Sequence, residues 1–200
     1  MRGLMQEFPL LVHRVLDHAA RWHGTRPILA RSVEGPLHRT DYATVSRRAR
    51  ALASACEKQL GLSMGSVIAT MAWNTWRHLE IWYGVMGMGG IVHTLNPRLF
   101  TDQLGYIVNH AEDQWIFTDL TFVPLLEKLQ EQIPNVKGFV ILTDEDQMPE
   151  FPYDPFIFAT PNTDHGLAAK NINGGKEPGR ALEIHLKNHA PTDLFNPAFL

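Results

Sequence analysis

The sequence predicts an α/β fold with a mostly parallel sheet flanked by helices, followed by an irregular C-terminal tail. Four short apolar runs between residues 67 and 143 alternate with helical patterns at intervals of roughly 25 residues, which is typical of strands joined by crossover helices. After residue 150 the composition changes, since residues 151–200 hold 6 of the 13 prolines and none of the five tryptophans. We therefore predict an α/β domain over residues 1–150 and an irregular tail over 151–200.

The first 61 residues predict two helices around a hairpin. Apolar residues recur at helical spacing in Leu10–Trp22, which predicts an amphipathic surface helix. The turn Glu34-Gly35-Pro36 lies between two short extended runs and predicts a β-hairpin. Thr40 is the expected N-cap of the next helix, and Gly61 is expected to end it.

The following residues predict the strand and helix alternation itself. The predicted strands are Val67–Ala72, Ile91–Leu95, Trp115–Thr118 and Gly138–Thr143, and the predicted helices are Thr75–Met86, one capped by Thr101, and Thr121–Gln132. Ligands of open parallel sheets bind at the carboxyl ends of the strands. The loops of interest therefore begin at Trp73-Asn74, at Asn96-Pro97-Arg98 and at Asp119.

Composition excludes several functional classes. The net charge is −3, and the densest basic group is Arg47, Arg48 and Arg50, so the sequence predicts no nucleic-acid surface. A single cysteine, Cys56, excludes an internal disulfide and fits a reducing compartment. No run approaches the ~20 apolar residues of a transmembrane helix. We expect a cytoplasmic protein. The weaker alternative is mitochondrial, because the first 31 residues are arginine-rich and include an amphipathic helix.

Two stretches carry a resemblance to a known family. Residues 72–80 (Ala-Trp-Asn-Thr-Trp-Arg-His-Leu-Glu) and residues 87–99 (Gly-Met-Gly-Gly-Ile-Val-His-Thr-Leu-Asn-Pro-Arg-Leu) resemble the N-terminal domain of adenylate-forming acyl-CoA synthetases. The similarity extends over about residues 8–148, includes Trp115-Ile116-Phe117-Thr118-Asp119, and favours the medium- and long-chain fatty-acid–CoA ligases. On this resemblance residues 1–150 are a partial N-terminal domain, and 151–200 are a non-family tail.

The resemblance implies a two-step reaction. A fatty acid attacks ATP to give an acyl-adenylate and pyrophosphate, and coenzyme A then displaces AMP, with Mg²⁺ neutralising phosphate charge. The family's phosphate loop, its adenine and metal motif and its C-terminal lysine domain do not occur in these 200 residues. Residues 173–179 hold glycines and Lys176, but in the wrong order for that loop. We therefore expect a truncated, inactive chain with no catalytic residue, which does not bind ATP, Mg²⁺ or coenzyme A productively.

A few residues are candidates for binding. His78 is either a packed boundary histidine or, as the resemblance implies, a residue near the acyl site or a dimer contact. Asn96 and Arg98 either orient an anion at a strand end or tie loops together. The spacing of the ten histidines predicts no metal site. An aromatic stripe at helical spacing is either core or, as the family's dimers imply, a homodimer contact; its members are Trp76, Trp82, Tyr83 and Met86.

Two further functional classes compete with a truncated ligase. One is a non-catalytic interaction module that pairs with full-length ligase subunits. The other is a small nucleotide-binding α/β protein, which is less favoured because neither a Gly-x-Gly-x-x-Gly motif nor a Walker loop occurs. The unusual tail is expected to come from another reading frame, an alternative splice or a misplaced gene end.

Overall fold

The computed structural model describes residues 9–144 and, beyond them, the backbone of three short strands. In chain order the elements are α1 (His13–His23), β1 (Pro27–Arg31), β2 (Leu37–Asp41), α2 (Tyr42–Leu60), β3 (Val67–Met71), α3 (Trp76–Gly87), β4 (Ile91–Thr94), α4 (Thr101–His110), β5 (Trp115–Asp119), α5 (Val123–Leu129), β6 (Gly138–Leu142), β7 (Phe156–Ala159), β8 (Leu167–Ala169) and β9 (Leu182–Ile184). Short 3₁₀ turns precede and follow α5. Within the described part, no helix combines the length and the apolar character that crossing a membrane requires.

Seven of the strands form one sheet in the order β4-β3-β5-β6-β7-β8-β9. The four predicted strands, β3 to β6, pair in parallel, which confirms the predicted α/β class. The chain leaves β3 toward β4 on one side and returns to β5 on the other side. The strand order therefore reverses between β3 and β5, where open sheets of this kind have a crevice at their carboxyl ends.

Strands β1 and β2 form a separate antiparallel hairpin, as predicted. In its register Leu29 lies opposite Arg39, and Arg31 lies opposite Leu37. Gly35 closes the turn with φ of 111°, a value that L-residues with side chains rarely adopt. Alternation along both strands turns one set of side chains to solvent and leaves the other half-buried.

The structure corrects the predicted start of α2. Asp41, rather than Thr40, is the N-cap, because its backbone is extended and its Oδ1 accepts a hydrogen bond from the Thr44 N–H at 2.8 Å. Gly61 ends the helix as predicted, in the left-handed conformation with φ of 65°, and its N–H donates to the Cys56 carbonyl. At α4, likewise, Phe100 is the N-cap and Thr101 is already helical.

Helices cover both faces of the sheet. Helices α2 and α3 pack on one face around Leu52, Ile81 and Val85, whereas α4 and α5 pack on the other around Leu104 and Leu126. Strands β3, β5 and β6 are therefore buried almost completely, which explains their mainly apolar sequences, whereas the edge strand β4 stays partly exposed.

Gly84 sets how closely α2 and α3 approach each other. A Cβ atom at Gly84 would lie 2.7 Å from the Ala49 carbonyl oxygen and 3.2 Å from a Leu52 methyl group. Real Cβ atoms essentially never approach backbone so closely, so the contact between the two helices depends on glycine at this position.

The sheet continues beyond its four predicted parallel strands, into residues for which an irregular tail was predicted. Strand β7 pairs in parallel with β6, and β8 and β9 follow in antiparallel pairing. The signal for β7 was a short apolar run, Phe156–Ala159, which its flanking prolines obscured. The candidate phosphate loop at residues 173–179 lies outside the described residues.

Candidate functional site

One buried carboxyl group, that of Asp119, lies at the crevice of the β3–β5 reversal. Asp119, at the carboxyl end of β5, is fully buried, and its Oδ2 accepts a hydrogen bond from the Trp73 N–H at 2.6 Å. Its Oδ1 is also buried and has no hydrogen-bond partner. Burial raises the pKa of Asp119 to about 6, while the Trp73 N–H and the charge of Arg77 act in the opposite direction.

The Trp73 side chain adds contacts with the residues that follow Asp119. Its indole Nε1–H donates to the Thr121 hydroxyl at 3.3 Å, and its ring lies 5.3 Å from that of Phe122. The loop after β3 is therefore held across the crevice to the end of β5 by both backbone and side chain. Two of the three loops singled out in the sequence, those beginning at Trp73 and Asp119, meet here.

A buried ionic network lies beside the crevice. The Arg77 guanidinium, in the first turn of α3, contacts both Glu34 carboxylate oxygens at 2.9 and 3.0 Å and Asp144 Oδ1 at 2.8 Å. The Thr143 hydroxyl donates to Glu34 Oε1 at 2.8 Å. Although burial acts to raise it, hydrogen bonds from the backbone and Thr143 and the charge of Arg77 hold the pKa of Glu34 below its ordinary value.

This network ties together three parts of the chain that are distant in sequence. Glu34 comes from the hairpin turn, Arg77 from the start of α3, and Thr143 and Asp144 from the end of β6. Arg77 also lies over the Trp76 ring at 4.7 Å, and His38 stacks on that ring with centroids 3.8 Å apart. Sequence reasoning missed this role of Arg77 and Glu34, because no local pattern reports a pairing across 43 residues.

His78 faces a different space. Its Nε2 lies 3.0 Å from the Thr70 hydroxyl and accepts a hydrogen bond from Trp82 Nε1 at 3.1 Å. Burial lowers the pKa of His78, which favours the neutral form of the ring. His78 and Trp82 line an open, mainly apolar cavity of about 360 Å³ between β1 and α3, with Ile28, Leu29, Ala30, Asn74, Thr75, Trp76 and Leu79.

The structure does not bring Asn96 and Arg98 into the buried cluster. Both are exposed after β4, and the Arg98 N–H donates to Asn96 Oδ1 in a local turn. Strand β4 is the edge strand next to β3, on the side away from β5. The turn after β4 therefore lies one strand away from the β3–β5 reversal. Within residues 9–144 no hydrogen bond or ion pair joins either residue to Asp119 or Arg77.

The predicted dimer stripe does not form one exposed face. Trp76 is 1% exposed and belongs to the buried stack, so the prediction of a surface contact is corrected for this residue. Tyr83 is half-buried against the small cluster of Leu16, Val45 and Ala49, and Met86 is half-buried as well. Trp82 is 41% exposed and is the one member that stays a candidate contact.

Among the residues that the structure describes, no group of three or more His, Cys, Asp or Glu side chains is placed to hold a metal ion.

Residues 16–179 match the family model described as AMP-binding enzyme. The chain belongs to the AMP-binding enzyme family. The predicted resemblance to the acyl-CoA synthetases is thereby confirmed.

Curated relatives of this AMP-binding chain are acyl-CoA ligases. The 3-methylmercaptopropionyl-CoA ligase of Ruegeria pomeroyi is 46% identical over 147 residues, which cover 74% of this chain and 27% of the relative. The medium-chain-fatty-acid–CoA ligase of Ectopseudomonas oleovorans is 42% identical, over 71% of this chain and 26% of the relative. The long-chain-fatty-acid–CoA ligase of Thermus thermophilus is 38% identical, over 65% and 24%. The chain thus spans less than a third of their lengths.

Solved structures of other proteins share the fold of this chain. The anthranilate CoA ligase AuaEII has a TM-score of 0.60 at 18% identity, over 68% of this chain and 26% of that one. The Mycobacterium tuberculosis fatty acyl CoA synthetase has a TM-score of 0.55 at 15% identity, over 80% and 34%.

The crevice does not fit the triphosphate of ATP that AMP-binding enzymes use. Among the described residues, the charged groups at the crevice and in the network beside it are the carboxyls of Glu34, Asp119 and Asp144 and the guanidinium of Arg77, which two of those carboxylates already bind. Glycine amides in a left-handed turn could cradle an anion. Apart from Gly35 in the hairpin turn, however, the described positive-φ glycines lie at the end of α2 or before β3 and β4, away from the strands' carboxyl ends.

Proposed function

We infer that this chain is the N-terminal part of an ATP-dependent fatty-acid–CoA ligase of the cytoplasm. The complete reaction would convert a fatty acid, ATP and coenzyme A into acyl-CoA, AMP and pyrophosphate. The 42% identity to a medium-chain-fatty-acid–CoA ligase and the 38% identity to a long-chain one support the substrate class. Taken alone, the 200 residues do not adenylate a carboxylic acid.

This proposal rests on the pairing of the charged groups at the β3–β5 reversal. Among the described residues Arg77 is the one buried arginine, and Glu34 and Asp144 already compensate its charge. An adenylating site must present uncompensated donors to the negative charge that develops on the phosphate oxygens. At the β3–β5 reversal the described charged groups already pair with one another. We therefore expect the phosphate-binding groups to come from sequence outside residues 9–144.

Within that scaffold the chain's own residues have a positioning role. Asp119 fixes the backbone at Trp73, and Arg77 fixes the start of α3 against the end of β6. Loops held at both ends keep their geometry when a ligand binds, which reduces the ordering cost of binding. We therefore assign the Trp73–Arg77 segment to one wall of the ligand crevice of the complete ligase.

The test is AMP release by the purified 200-residue chain in the presence of ATP, Mg²⁺, coenzyme A and fatty acids of several lengths. We expect no release above that of a sample without enzyme. A full-length medium-chain ligase, assayed in parallel, shows that the conditions support turnover. Turnover by the 200-residue chain that a fatty acid stimulates would contradict the proposal, because the tail would then have to complete an active site.

A second candidate is a non-catalytic module that pairs with full-length ligase subunits. It is supported by the exposed Trp82 side chain at the rim of the apolar cavity between β1 and α3. Co-purification with a full-length ligase should fall in Trp82→Ala and persist in Tyr106→Ala, an exposed aromatic control on α4. If neither variant changes the recovery, or if nothing co-purifies, the module is not supported.

A further inference from the structure

The solvent face of the β1–β2 hairpin interleaves leucine and arginine. Leu29 and Leu37 are 53% and 66% exposed, and in the strand register each lies directly opposite an arginine, Arg39 and Arg31 respectively. Cross-strand pairs of this kind have their Cβ atoms about 5 Å apart, so the four side chains form one compact patch. We call Leu29, Arg31, Leu37 and Arg39 the hairpin face.

Helix α1, which precedes the hairpin in sequence, also turns apolar side chains outward. His13 and Leu16 point to the core, whereas Val15 and Trp22, seven residues apart, are 62% and 65% exposed. Residues seven apart lie two turns along the same side of a helix. The Arg21 guanidinium lies 5.3 Å from the Trp22 ring. Helix α1 therefore combines exposed apolar side chains with arginine, as the hairpin face does. We call Val15, Arg21 and Trp22 the α1 stripe.

Positive charge is concentrated in this part of the molecule. Residues 9–60 contain nine Arg or Lys and four Asp or Glu, although the whole chain has a net charge of −3. Three of the four acids are engaged, since Asp17 pairs with Arg50, Glu34 pairs with Arg77, and Asp41 caps α2. Arg50 and Arg48 are themselves paired, with Asp17 and Glu80, whereas Arg31 and Arg39 are exposed directly opposite the two leucines, so the hairpin face is both apolar and cationic.

We propose that the hairpin face binds the surface of an anionic lipid bilayer, with the α1 stripe as a second contact. Exposed Leu and Trp side chains enter the interfacial region of a bilayer, and arginines beside them pair with lipid phosphates. A second copy of the chain fits less well, because a two-fold contact would bring arginines against arginines. The proposal concerns where the protein is held, and it stands independently of the catalytic assignment.

The experiment is vesicle co-sedimentation of the full 200-residue chain. Vesicles of phosphatidylcholine alone are compared with vesicles that contain phosphatidylglycerol as well. We expect binding to the anionic vesicles and release at high salt, because the arginine contribution is screened. Arg31→Gln with Arg39→Gln should weaken partitioning about 25-fold, since each arginine near an anionic surface contributes about fivefold. Leu29→Ser with Leu37→Ser should weaken it as well.

The matched control is Lys128→Gln with Lys137→Gln, which removes the same charge from the α5 side of the sheet. It should change partitioning less than twofold, and all variants should keep the circular dichroism and melting temperature of the parent. Equal binding to both vesicle types, or an equal loss in the lysine control, would overturn the proposal. So would self-association without vesicle binding that Leu29→Ser and Leu37→Ser abolish, because the face would then belong to a second copy.

Discussion

Replacing Arg77 with methionine tests whether the buried ionic network holds the carboxyl edge together. The Met side chain keeps most of the apolar length of arginine but removes its charge and donors. Glu34 would then lose Arg77 Nη1, which contacts both of its carboxylate oxygens, and Asp144 would lose its contact at 2.8 Å. Arg77 also acts to lower the pKa of Asp119, so its loss makes ionisation of that carboxyl less favourable still.

The structure sets the expected magnitude. Arg77 and Glu34 side chains are both buried, and removing one partner of a buried pair typically costs about 3–5 kcal/mol, because an uncompensated charge remains. Domains of this size have a total free energy of unfolding of about 5–15 kcal/mol, so the variant should be marginal. Adding Glu34→Gln should recover part of this loss, since the orphaned charge is then gone.

The assay is urea unfolding followed by circular dichroism, with the single variants and the double variant in one cycle. Arg98→Met, which removes an exposed arginine, should change the free energy of unfolding by less than about 0.5 kcal/mol. The reasoning is refuted if Arg77→Met costs no more than Arg98→Met. It is also refuted if the effects of Arg77→Met and Glu34→Gln simply add, because coupled partners do not behave so.

Three further predictions follow from buried groups. Because the pKa of Asp119 is raised to about 6, its carboxyl group keeps a proton in the folded state that it releases in the unfolded state. The contribution of Asp119 to stability is therefore present below about pH 4 and is lost as the pH rises through 6. Asp119→Asn should therefore remove a decline of about 3 kcal/mol between pH 4 and 7, measured by urea unfolding across pH; an unchanged pH profile would contradict this. Burial raises the pKa of Cys56 to about 12, so a thiol reagent should modify it only at the rate of unfolding, and fast labelling of the folded chain would be inconsistent with this burial. Gly84→Ala should lower the free energy of unfolding by about 1–3 kcal/mol, because the new methyl group would overlap the Ala49 carbonyl, whereas Ala43→Gly, at an exposed site in α2, should cost only about 1 kcal/mol.

Local patterns predicted most of the secondary structure and one side of the site. The alternation of apolar runs and helical spacing predicted β3 to β6 and the helices between them, and the runs are most apolar where both faces of the strand are buried, as in β6. The loops at Trp73 and Asp119 were predicted because they follow such strands. Helix boundaries were less well predicted: Thr40 and Asp41 are both good capping residues, and only the extended backbone at Asp41 decides between them.

The sequence by itself determined the family, the α/β class and the elements of the parallel sheet, because each of these depends on spacing along the chain. The tertiary structure alone decided that Trp76 is core while Trp82 is exposed, that Arg77 binds Glu34 and Asp144, and that Leu29 and Leu37 share a face with two arginines. These outcomes depend on which distant segments meet. The burial of a charge is decided by the partner that compensates it, and that partner lies 43 residues away for Glu34 and 67 for Asp144.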